Sequence, residues 1–317
     1  MSGKILFLDN NHPVMIGLLR DAGFTCDEDY ESPKAEIEKK LGDYNAVVIR
    51  SRFKLDKQFL DHGKALRCIA RAGAGMENID VTYAESKNIR CVHAPEGNRD
   101  AVAEHALGML LALLNNLCRA DREVRSGIWK REENRGHELS GKTVGIIGYG
   151  NTGSMFAQRL RGFDVNVLAY DKYKTGFSDG FVKEATPEQI FEEADILSLH
   201  IPLTDETHHL VNHDFIGRFR KNIRIINTAR GQCLDTAGLV SQMKAGKVTG
   251  ACLDVLEYEA VSFEQLDASA LPEPFQYLVA SDKVVLSPHI AGWTFESYEK
   301  IGRVLAGKII TVLASGR

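Results

Sequence analysis

Three ionisable side chains follow short apolar segments in the later part of the sequence, namely Arg230, Glu259 and His289. A guanidinium can hold a carboxylate and polarise a carbonyl with fixed geometry. An imidazole titrates near neutrality, so it can accept or donate the proton of a hydroxyl group. A neighbouring carboxylate orients the ring and favours its charged form. These residue types suit acid–base chemistry on a small carboxylic acid, provided that the fold brings them together.

Each of the three residues also has a structural alternative. An arginine after a strand is often part of a surface ion pair, a glutamate in a loop is usually solvated, and a histidine after a proline can cap a turn. Their placement at or just beyond predicted strand ends keeps the functional alternative open, because Rossmann-type sheets bind ligands at that edge.

A glycine-rich segment adds a second kind of chemistry. Gly148, Gly150 and Gly153 form G-x-G-x-x-G directly after the apolar run 144–147. This spacing predicts a tight turn from a strand into a helix whose first N–H groups and positive dipole end face a pyrophosphate. Asp171 ends a second predicted strand about 20 residues later, where a carboxylate accepts from an adenosine ribose. Alone, the glycines fit an ordinary turn; with strand, helix and acid they predict a dinucleotide site, and hence hydride transfer.

The carboxylate of Asp171 favours NAD as the cofactor. A 2′-phosphate placed against it would be repelled and would lose the ribose hydrogen bonds. The adjacent Lys172 leaves one alternative open, because a lysine folded over the ribose would soften the rejection of NADP.

The elements that must position these residues alternate between strand and helix patterns, which is the βαβ rhythm of parallel sheets. The predicted strands are 4–9, 46–51, 67–72, 89–93, 144–147, 165–170, 196–201, 224–227, 250–255 and 284–287. Since the glycine segment begins only near residue 148, about a hundred residues have already folded before it. We therefore predict an α/β fold with two doubly wound, Rossmann-like and flavodoxin-like domains and a cleft between them.

The predicted substrate domain is discontinuous. It comprises residues 1–98 and 290–317, because the final apolar helix, at 298–313, is expected to pack back on the first unit. The NAD-binding Rossmann domain comprises residues 99–289. A long helix at 101–122 is expected to carry the chain from one domain into the other.

Composition narrows the class of protein. The 317 residues are 44% hydrophobic and 26% charged, which is typical of an ordinary soluble protein. The net charge of −4 does not favour binding to nucleic acid or to an anionic membrane. Six scattered cysteines lack a C-x-x-C pair, and no apolar run reaches the length of a membrane span or a secretory segment. We expect a cytoplasmic protein with small-molecule partners and without a metal, nucleic-acid or membrane site.

Seven motifs resemble, in order and spacing, the D-isomer-specific 2-hydroxyacid dehydrogenase family, and most closely its D-3-phosphoglycerate dehydrogenase branch. The motifs are RAGAGMENID (71–80), HAPEGNRDAVAEHALGMLLAL (93–113), LSGKTVGIIGYGNTGS (139–154), HIPLT (200–204), INTARGQCLD (226–235), GACLDV (250–255) and SPHIAGWT (287–294). The resemblance covers nearly the whole chain.

The resemblance implies roles for specific residues. In the family, the arginine of an N-x-x-R-G motif binds the substrate carboxylate and a histidine–glutamate pair is the acid–base system, which assigns catalysis to Arg230, His289 and Glu259. The implied substrate-binding residues are the loop residues Ala72, Gly73 and Ala74, through their backbone N–H groups; Arg52 and Arg71 are added as substrate-binding candidates because a phosphorylated substrate needs a further cation. The implied cofactor contacts are Gly148, Gly150, Asn151, Thr152, Gly153, Asp171, His200, Pro202, Thr228, Ala229, Asp254 and Gly292, with Asp254 on the nicotinamide carboxamide.

The sequence departs from the family pattern in two places. Ala260 stands where a proline commonly follows the glutamate, and the segment to Asp282 is longer than usual, so the loop that carries Glu259 is expected to differ in shape. The sequence ends at Arg317, without the regulatory domains of many phosphoglycerate dehydrogenases, so serine feedback through such a domain is not expected.

The leading substrate implied by the resemblance is 3-phospho-D-glycerate, oxidised to 3-phosphohydroxypyruvate in the first step of serine biosynthesis. Its phosphate requires a cation distant from Arg230, for which Arg50, Arg52, Arg71 and Arg131 are candidates, with Arg71 best placed beside the carboxylate loop. The alternatives are a glyoxylate or hydroxypyruvate reductase, another D-2-hydroxyacid dehydrogenase, or an NADH-sensing protein similar to transcriptional corepressors of this fold.

The helix at 101–117 resembles the segment through which the family dimerises by its cofactor domains. A buried core helix would have the same pattern. The resemblance therefore leads us to expect a homodimer.

Overall fold

The computed structural model describes residues 3–259 and 271–315. These residues form two compact units, one of 3–99 with 293–315 and the other of 100–259 with 271–292. Each unit is built on one parallel sheet, as the alternating strand and helix patterns predict.

The first unit contains a five-stranded sheet in the order β2-β1-β3-β4-β5, which is the flavodoxin-like doubly wound order. Its strands are β1 (Lys4–Phe7), β2 (Thr25–Glu28), β3 (Ala46–Ile49), β4 (Cys68–Arg71) and β5 (Arg90–His93). Its helices are α1 (Pro13–Asp21), α2 (Lys34–Lys40), α3 (Lys57–His62), α4 (Val81–Ser86) and, from the end of the chain, α12 (Phe295–Ala314).

Side chains alternate between the two faces of this sheet, and helices cover both faces. Ile5 and Phe7 join a core with Leu19 of α1 and Leu305 of α12. Leu6, between them, points to the opposite core, formed with α2 and α3. The strands are therefore apolar on both sides, which is the pattern of a buried parallel sheet.

The second unit contains a seven-stranded sheet in the order β12-β11-β10-β9-β6-β7-β8. Its strands are β6 (Thr143–Ile147), β7 (Asn166–Tyr170), β8 (Val182–Glu184), β9 (Ile196–Leu199), β10 (Ile223–Asn227), β11 (Val248–Leu253) and β12 (Val284–Leu286). Its helices are α6 (Leu117–Arg125), α7 (Asn151–Arg159), α8 (Pro187–Glu193), α9 (His213–Gly217), α10 (Thr236–Lys244) and α11 (Glu273–Ala280). The strand order reverses direction between β6 and β9, and this switch point is where a Rossmann sheet binds its dinucleotide.

The predicted continuous helix at 101–122 is wrong. Helix α5 (Pro95–Leu114) begins earlier and ends before Asn115, and α6 follows at an angle of 62°. Asn116 lies between them with a φ of 53°, a left-handed conformation that asparagine tolerates better than most residues. In the part of the chain that the structure describes, no one helix has the length and apolarity to cross a membrane, although the bent pair α5–α6 passes that test jointly.

Candidate active site

Three neighbouring strands of the second unit end beside the residues predicted to do chemistry. Arg230 follows β10, Glu259 follows β11 and His289 follows β12, and these strands pair in parallel in that order. Because parallel strands end at the same edge of a sheet, the topology gathers three segments that are distant in sequence.

Glu259 and His289 are in direct contact. The Nδ1 atom of His289 lies 2.7 Å from Oε2 of Glu259. Since an ionised carboxylate only accepts, Nδ1 carries the hydrogen, and Nε2 is the ring nitrogen on the side away from Glu259. The second carboxylate oxygen, Oε1, accepts from the N–H of Leu256 at 2.5 Å, which fixes the acid. The expected change in loop shape does not prevent this contact; Ala260 itself lies outside the described residues.

Asp254 anchors the segment that carries His289. Its carboxylate is 1% exposed and accepts from the backbone N–H of Ile290 at 2.9 Å and of Ala291 at 2.8 Å. Its carbonyl accepts from the N–H of His289 at 2.8 Å. The hydroxyl of Ser287 donates to the same carboxylate and lies 2.9 Å from Nε2 of His105. The predicted contact of Asp254 with nicotinamide stays a prediction.

A close backbone approach joins the loops that carry Arg230 and Glu259. A Cβ atom on Gly231 would lie 2.1 Å from the carbonyl group of Leu256, so only a glycine fits directly after Arg230. The side-chain amide of Asn227 donates to the carbonyl of Arg230 at 2.9 Å, while the guanidinium of Arg230 donates to the carbonyl of Ala229. These contacts fix the start of the turn after β10.

The glycine-rich turn has the geometry that a dinucleotide requires. Gly148 has a φ of +91°, and a Cβ atom there would lie 2.4 Å from the carbonyl oxygen of His200. A Cβ atom on Gly153 would lie 2.0 Å from the carbonyl oxygen of Gly148, whereas Gly150 has open space beside it. Gly150 is the N-cap of α7 and has no side chain to occupy the helix N–H groups. The turn is therefore tight against the protein and open on the side where a pyrophosphate binds.

Asp171 lies directly after β7 and contacts the glycine-rich turn. Its carboxylate accepts from the N–H groups of Tyr149 at 2.8 Å, Tyr173 at 2.9 Å and Lys174 at 3.0 Å. The ammonium of Lys172 contacts the carboxylate of Glu206 at 2.5 Å, and this hydrogen bond raises the lysine pKa. The cation next to Asp171 is thus paired with a second acid rather than with Asp171.

Two buried polar atoms at this edge have no hydrogen-bond partner among the described residues, the hydroxyl of Thr228 and Nδ1 of His200. Burial lowers the pKa of His200 to about 3, so its ring is neutral at physiological pH, and its Nε2 lies 2.8 Å from the hydroxyl of Ser198. Unpaired buried polar groups are costly, so they indicate a polar ligand. Together with the glycine turn, they fit a bound dinucleotide.

The other predicted cofactor contacts lie along the same edge. Asn151 and Thr152 form the first turn of α7, and Ala229 is in the turn after β10, where its N–H donates to the side chain of Asn227. The carbonyl of Pro202 accepts from the hydroxyl of Thr207 at 2.7 Å. Gly292 closes the segment that Asp254 anchors. Their contacts with NAD stay predictions.

In the first unit, Arg71 lies at the end of β4 and its side chain folds over the following loop. A Cβ atom on Gly73 would lie 1.8 Å from Nη1 of Arg71, and Gly73 has a φ of +151°. Glycine therefore leaves room for a guanidinium directly on the loop that was predicted to bind the substrate carboxylate.

The prediction that Ala72, Gly73 and Ala74 all offer backbone N–H groups is wrong for two of them. The N–H of Ala72 donates to the carbonyl of Ile49 at 2.8 Å, and that of Gly73 donates to the carbonyl of Arg71 at 2.9 Å. The first bond joins the end of β4 to the neighbouring strand β3, and the second lies within the turn that follows β4. Ala74 is left as the candidate donor, and its carbonyl lies 2.5 Å from Nδ1 of His93.

Arg52 is placed as a structural residue instead of a substrate contact. Its guanidinium donates to the carbonyls of Leu8 at 3.2 Å, Asp29 at 2.7 Å and Ser32 at 2.5 Å. These bonds tie together the loops after β1 and β2. The structural alternative is therefore favoured, and the assignment of a substrate phosphate to Arg52 is corrected.

Sequence reasoning missed the residues that support the segments carrying Glu259 and His289. Ser287 and His105 contact each other and Asp254, yet they are 182 residues apart in the sequence. Glu257 and His209 form a further pair beside Glu259. The available signals were the positions of Ser287 in SPHIAGWT, of His105 in the 93–113 motif and of Glu257 in DVLEYEA, whereas His209 lies outside these segments.

Comparison with known proteins supports the predicted class. Residues 107–291 match the family model described as D-isomer specific 2-hydroxyacid dehydrogenase, NAD binding domain. A hydroxypyruvate reductase of Thermotoga maritima is 36% identical over 280 residues, which cover 88% of each protein. A D-3-phosphoglycerate dehydrogenase of Archaeoglobus fulgidus is 34% identical over 98% of this chain, which spans only 57% of that relative.

A solved structure has the same fold over the full length. The D-lactate dehydrogenase of Aquifex aeolicus, complexed with NAD and lactic acid, superposes with a TM-score of 0.82 and 28% identity. The match covers 99% of this chain and 96% of that one.

Proposed function

This chain is a member of the D-isomer-specific 2-hydroxyacid dehydrogenase family, and on that basis we propose that it catalyses the reversible oxidation of a D-2-hydroxy acid at C2 by NAD, with Arg230, Glu259 and His289 as the catalytic residues. The observation that carries this proposal is the contact of 2.7 Å between Nδ1 of His289 and Glu259, at the carboxyl edge of a Rossmann sheet. NAD is the cofactor and, when bound, supplies the hydride acceptor at its nicotinamide ring.

The protein residues divide the remaining work. Nε2 of His289 removes the hydroxyl proton of the substrate, and the carboxylate of Glu259 stabilises the imidazolium that forms. Arg230 holds the substrate carboxylate and the oxygen on C2, so that the carbonyl forms in a fixed orientation. The Asp254 contacts keep His289 in place during the proton transfer.

We assign 3-phospho-D-glycerate as the substrate, which would make this the first step of serine biosynthesis. The proposal assigns the substrate phosphate to Arg71, whose guanidinium lies on Gly73 in the loop that was predicted to bind the substrate. Replacement of Arg71 by alanine should then raise KM for 3-phosphohydroxypyruvate at least about tenfold, since a hydrogen bond to a charged group contributes about 1.5–3 kcal/mol. KM for hydroxypyruvate should change much less.

A hydroxypyruvate or glyoxylate reductase is the second candidate. The Thermotoga maritima relative supports it, because that protein and this chain match over 88% of both lengths. An unphosphorylated keto acid carries no phosphate, so it would need no cation in addition to Arg230.

NADH oxidation with several keto acids separates these functions. We expect the highest kcat/KM with 3-phosphohydroxypyruvate, compared at equal enzyme concentration with hydroxypyruvate, glyoxylate and pyruvate. A higher value for hydroxypyruvate or glyoxylate would select the second candidate. Turnover of none of these acids by a protein that binds NADH would contradict the enzymatic role.

We also propose that the protein is a homodimer. Leu117, Val124, Ile128 and Trp129 are exposed apolar side chains in and just after α6, and Trp129 is 77% exposed. These side chains continue from the helix at 101–117 that was predicted to form the dimer. An exposed apolar patch in this place would therefore be covered by a second copy of the chain. A monomeric mass at micromolar concentration, measured by light scattering, would exclude this assembly.

A further inference from the structure

A second contact between a histidine and a glutamate lies beside the catalytic pair. Nε2 of His209 lies 2.5 Å from Oε1 of Glu257, whose side chain is only 15% exposed. The other oxygen, Oε2, accepts from the backbone N–H of Thr236 at the start of α10 at 2.6 Å. Both carboxylate oxygens are therefore engaged, one by an imidazole and one by a helix N-terminus.

His209 is held in an uncommon backbone conformation. Its φ is +50°, in the left-handed region that costs a side-chain-bearing residue on the order of 1–3 kcal/mol. Its N–H donates to the carbonyl of Gln232 at 2.8 Å, and its ring stacks on that of His208 with centroids 4.2 Å apart. A conformation of this kind persists only where the surrounding contacts determine it, and here they aim the imidazole at Glu257.

The Glu257 contact is transmitted to Glu259 through a short turn. Leu256 donates its N–H to Oε1 of Glu259 at 2.5 Å, and the N–H of Glu259 approaches the carbonyl of Leu256 at 3.4 Å. Gly231 packs against the backbone of Leu256 and Glu257 on the other side. A displacement of Glu257 would therefore displace the turn that aims the Glu259 carboxylate at His289.

We propose that His209 is a positioning residue of the active site, which acts through Glu257 to keep the 256–259 turn in the conformation that brings Glu259 to His289. The inference rests on the proposed catalytic roles of Glu259 and His289. It adds a residue that no sequence motif assigned, on a segment that precedes α9 by several residues. A misplacement of about 1 Å at a catalytic group can lower turnover by up to about a hundredfold.

Two substitutions at His209 separate the side-chain contact from the backbone conformation. Glycine adopts a φ of +50° without strain but removes the imidazole, whereas glutamine keeps an N–H donor at the reach of Nε2 but is disfavoured at that φ. We expect His209→Gly to lower kcat about tenfold with KM for NADH unchanged, and His209→Gln to keep kcat within about threefold of the parent protein. The thermal unfolding midpoint, measured in parallel, should be higher for His209→Gly than for His209→Gln. A lower kcat in the glycine variant would then not be a consequence of lower stability.

A double-mutant cycle with Glu259→Gln tests whether the effect passes through Glu259. If it does, adding His209→Gly to Glu259→Gln causes no further loss of kcat. A further full tenfold loss, or an unchanged kcat in His209→Gly alone, would overturn the proposal. The matched control is His213→Ala, an exposed histidine paired with Asp214, which should leave kcat unchanged.

The same cycle reports separately on the catalytic assignment. If Glu259→Gln alone leaves kcat unchanged, the proposed function of Glu259 fails, and the positioning role fails with it. If Glu259→Gln lowers kcat while the His209 variants do not, only the positioning role fails. The assay uses NADH and whichever of 3-phosphohydroxypyruvate, hydroxypyruvate and glyoxylate the parent protein reduces fastest.

Discussion

The hydroxyl of Ser287 donates a hydrogen bond of 2.6 Å to Oδ1 of Asp254, across 33 residues of sequence. The same carboxylate accepts from two backbone N–H groups just after His289. The segment that carries His289 is therefore held on both sides of this residue by Asp254, at the end of β11, and its position does not depend on the local turn alone.

Replacement of Ser287 by alanine tests this anchor. The change leaves the buried Asp254 carboxylate with one donor fewer, so we expect the free energy of unfolding to fall by about 1–2 kcal/mol. We also expect kcat to fall severalfold, because His289 loses part of its support. Urea unfolding and steady-state kinetics measure the two effects. Ser126→Ala, which removes an exposed hydroxyl bond at the end of α6, is the control, and equal effects of the two changes would contradict the anchoring role.

Replacement of His289 by alanine tests the proton transfer itself. Because general acid–base catalysis contributes about 10²–10⁴-fold, kcat should fall by that factor. The NADH dissociation constant, measured by fluorescence titration, should change little, since the dinucleotide edge around Gly148 and Asp171 is unaffected. Weakened NADH binding with retained turnover would reverse the assignment of His289.

The second unit was the more predictable part of the fold. The apolar run before Gly148, the glycine spacing and Asp171 each reflect a local steric or electrostatic requirement, and the structure has a tight turn, an uncapped helix start and a strand end at those places. Strands buried on both faces, such as β9, also carry a strong apolar signal. Local requirements of this kind can be identified in one sequence.

The elements that were missed carry weak local signals. Strand β2 has the sequence TCDE and β8 has VKE, and both pair at a sheet edge, where polar side chains are tolerated. The break in the predicted long helix depends on the left-handed conformation of Asn116. The apolar residues on either side of Asn116 continue the helical pattern, so the sequence does not indicate the break. In such segments the structure is determined by contacts with other parts of the fold and not by the residues of the segment itself.

Support residues of the site were unpredictable for a different reason. Gly231 looks like part of a short motif, yet a glycine is required there because the backbone of Leu256 approaches it closely. His209 meets its partner Glu257 only because β10 and β11 are adjacent. Arg52 shows the reverse error, because an arginine that looked available for an anion donates to three carbonyls of its own unit. One sequence contains residue types but not these long-range partners.

Cofactor selectivity should depend on two acids. Asp171→Ala removes the repulsion of a 2′-phosphate and the ribose bonds, so the ratio of kcat/KM for NAD to that for NADP should fall at least about tenfold. Glu206→Gln should have little effect alone, but in the Asp171→Ala background it releases Lys172 from its partner and should improve NADP use by about two- to fivefold, the scale of an exposed ion pair.

A matched control for the second acid is Glu192→Gln, which removes an exposed carboxylate of α8 that is paired with Arg220. It should leave the cofactor ratio unchanged in both backgrounds. An unchanged ratio in Asp171→Ala would refute the ribose assignment, whereas equal effects of Glu206→Gln and Glu192→Gln would refute only the part assigned to Lys172.

The buried imidazole of His200 should make the protein less stable in acid. Burial lowers its folded-state pKa from 6.5 to about 3, so below pH 6.5 the unfolded chain binds a proton that the folded chain does not. The free energy of unfolding therefore falls as the pH drops through this window, by about 1.4 kcal/mol per pH unit from this group. Between pH 7 and pH 5, His200 contributes a loss of about 2 kcal/mol.

Replacement of His200 by glutamine removes this titration while it retains a polar atom near Ser198. Urea unfolding at pH 7 and pH 5 should show that the variant loses about 2 kcal/mol less than the parent protein over that interval, even if the variant is less stable at pH 7. His213→Gln, which changes an exposed histidine, should lose as much as the parent. Equal losses in all three proteins would mean that the His200 ring gains a proton in the folded state, which would contradict a neutral histidine beneath the glycine-rich turn.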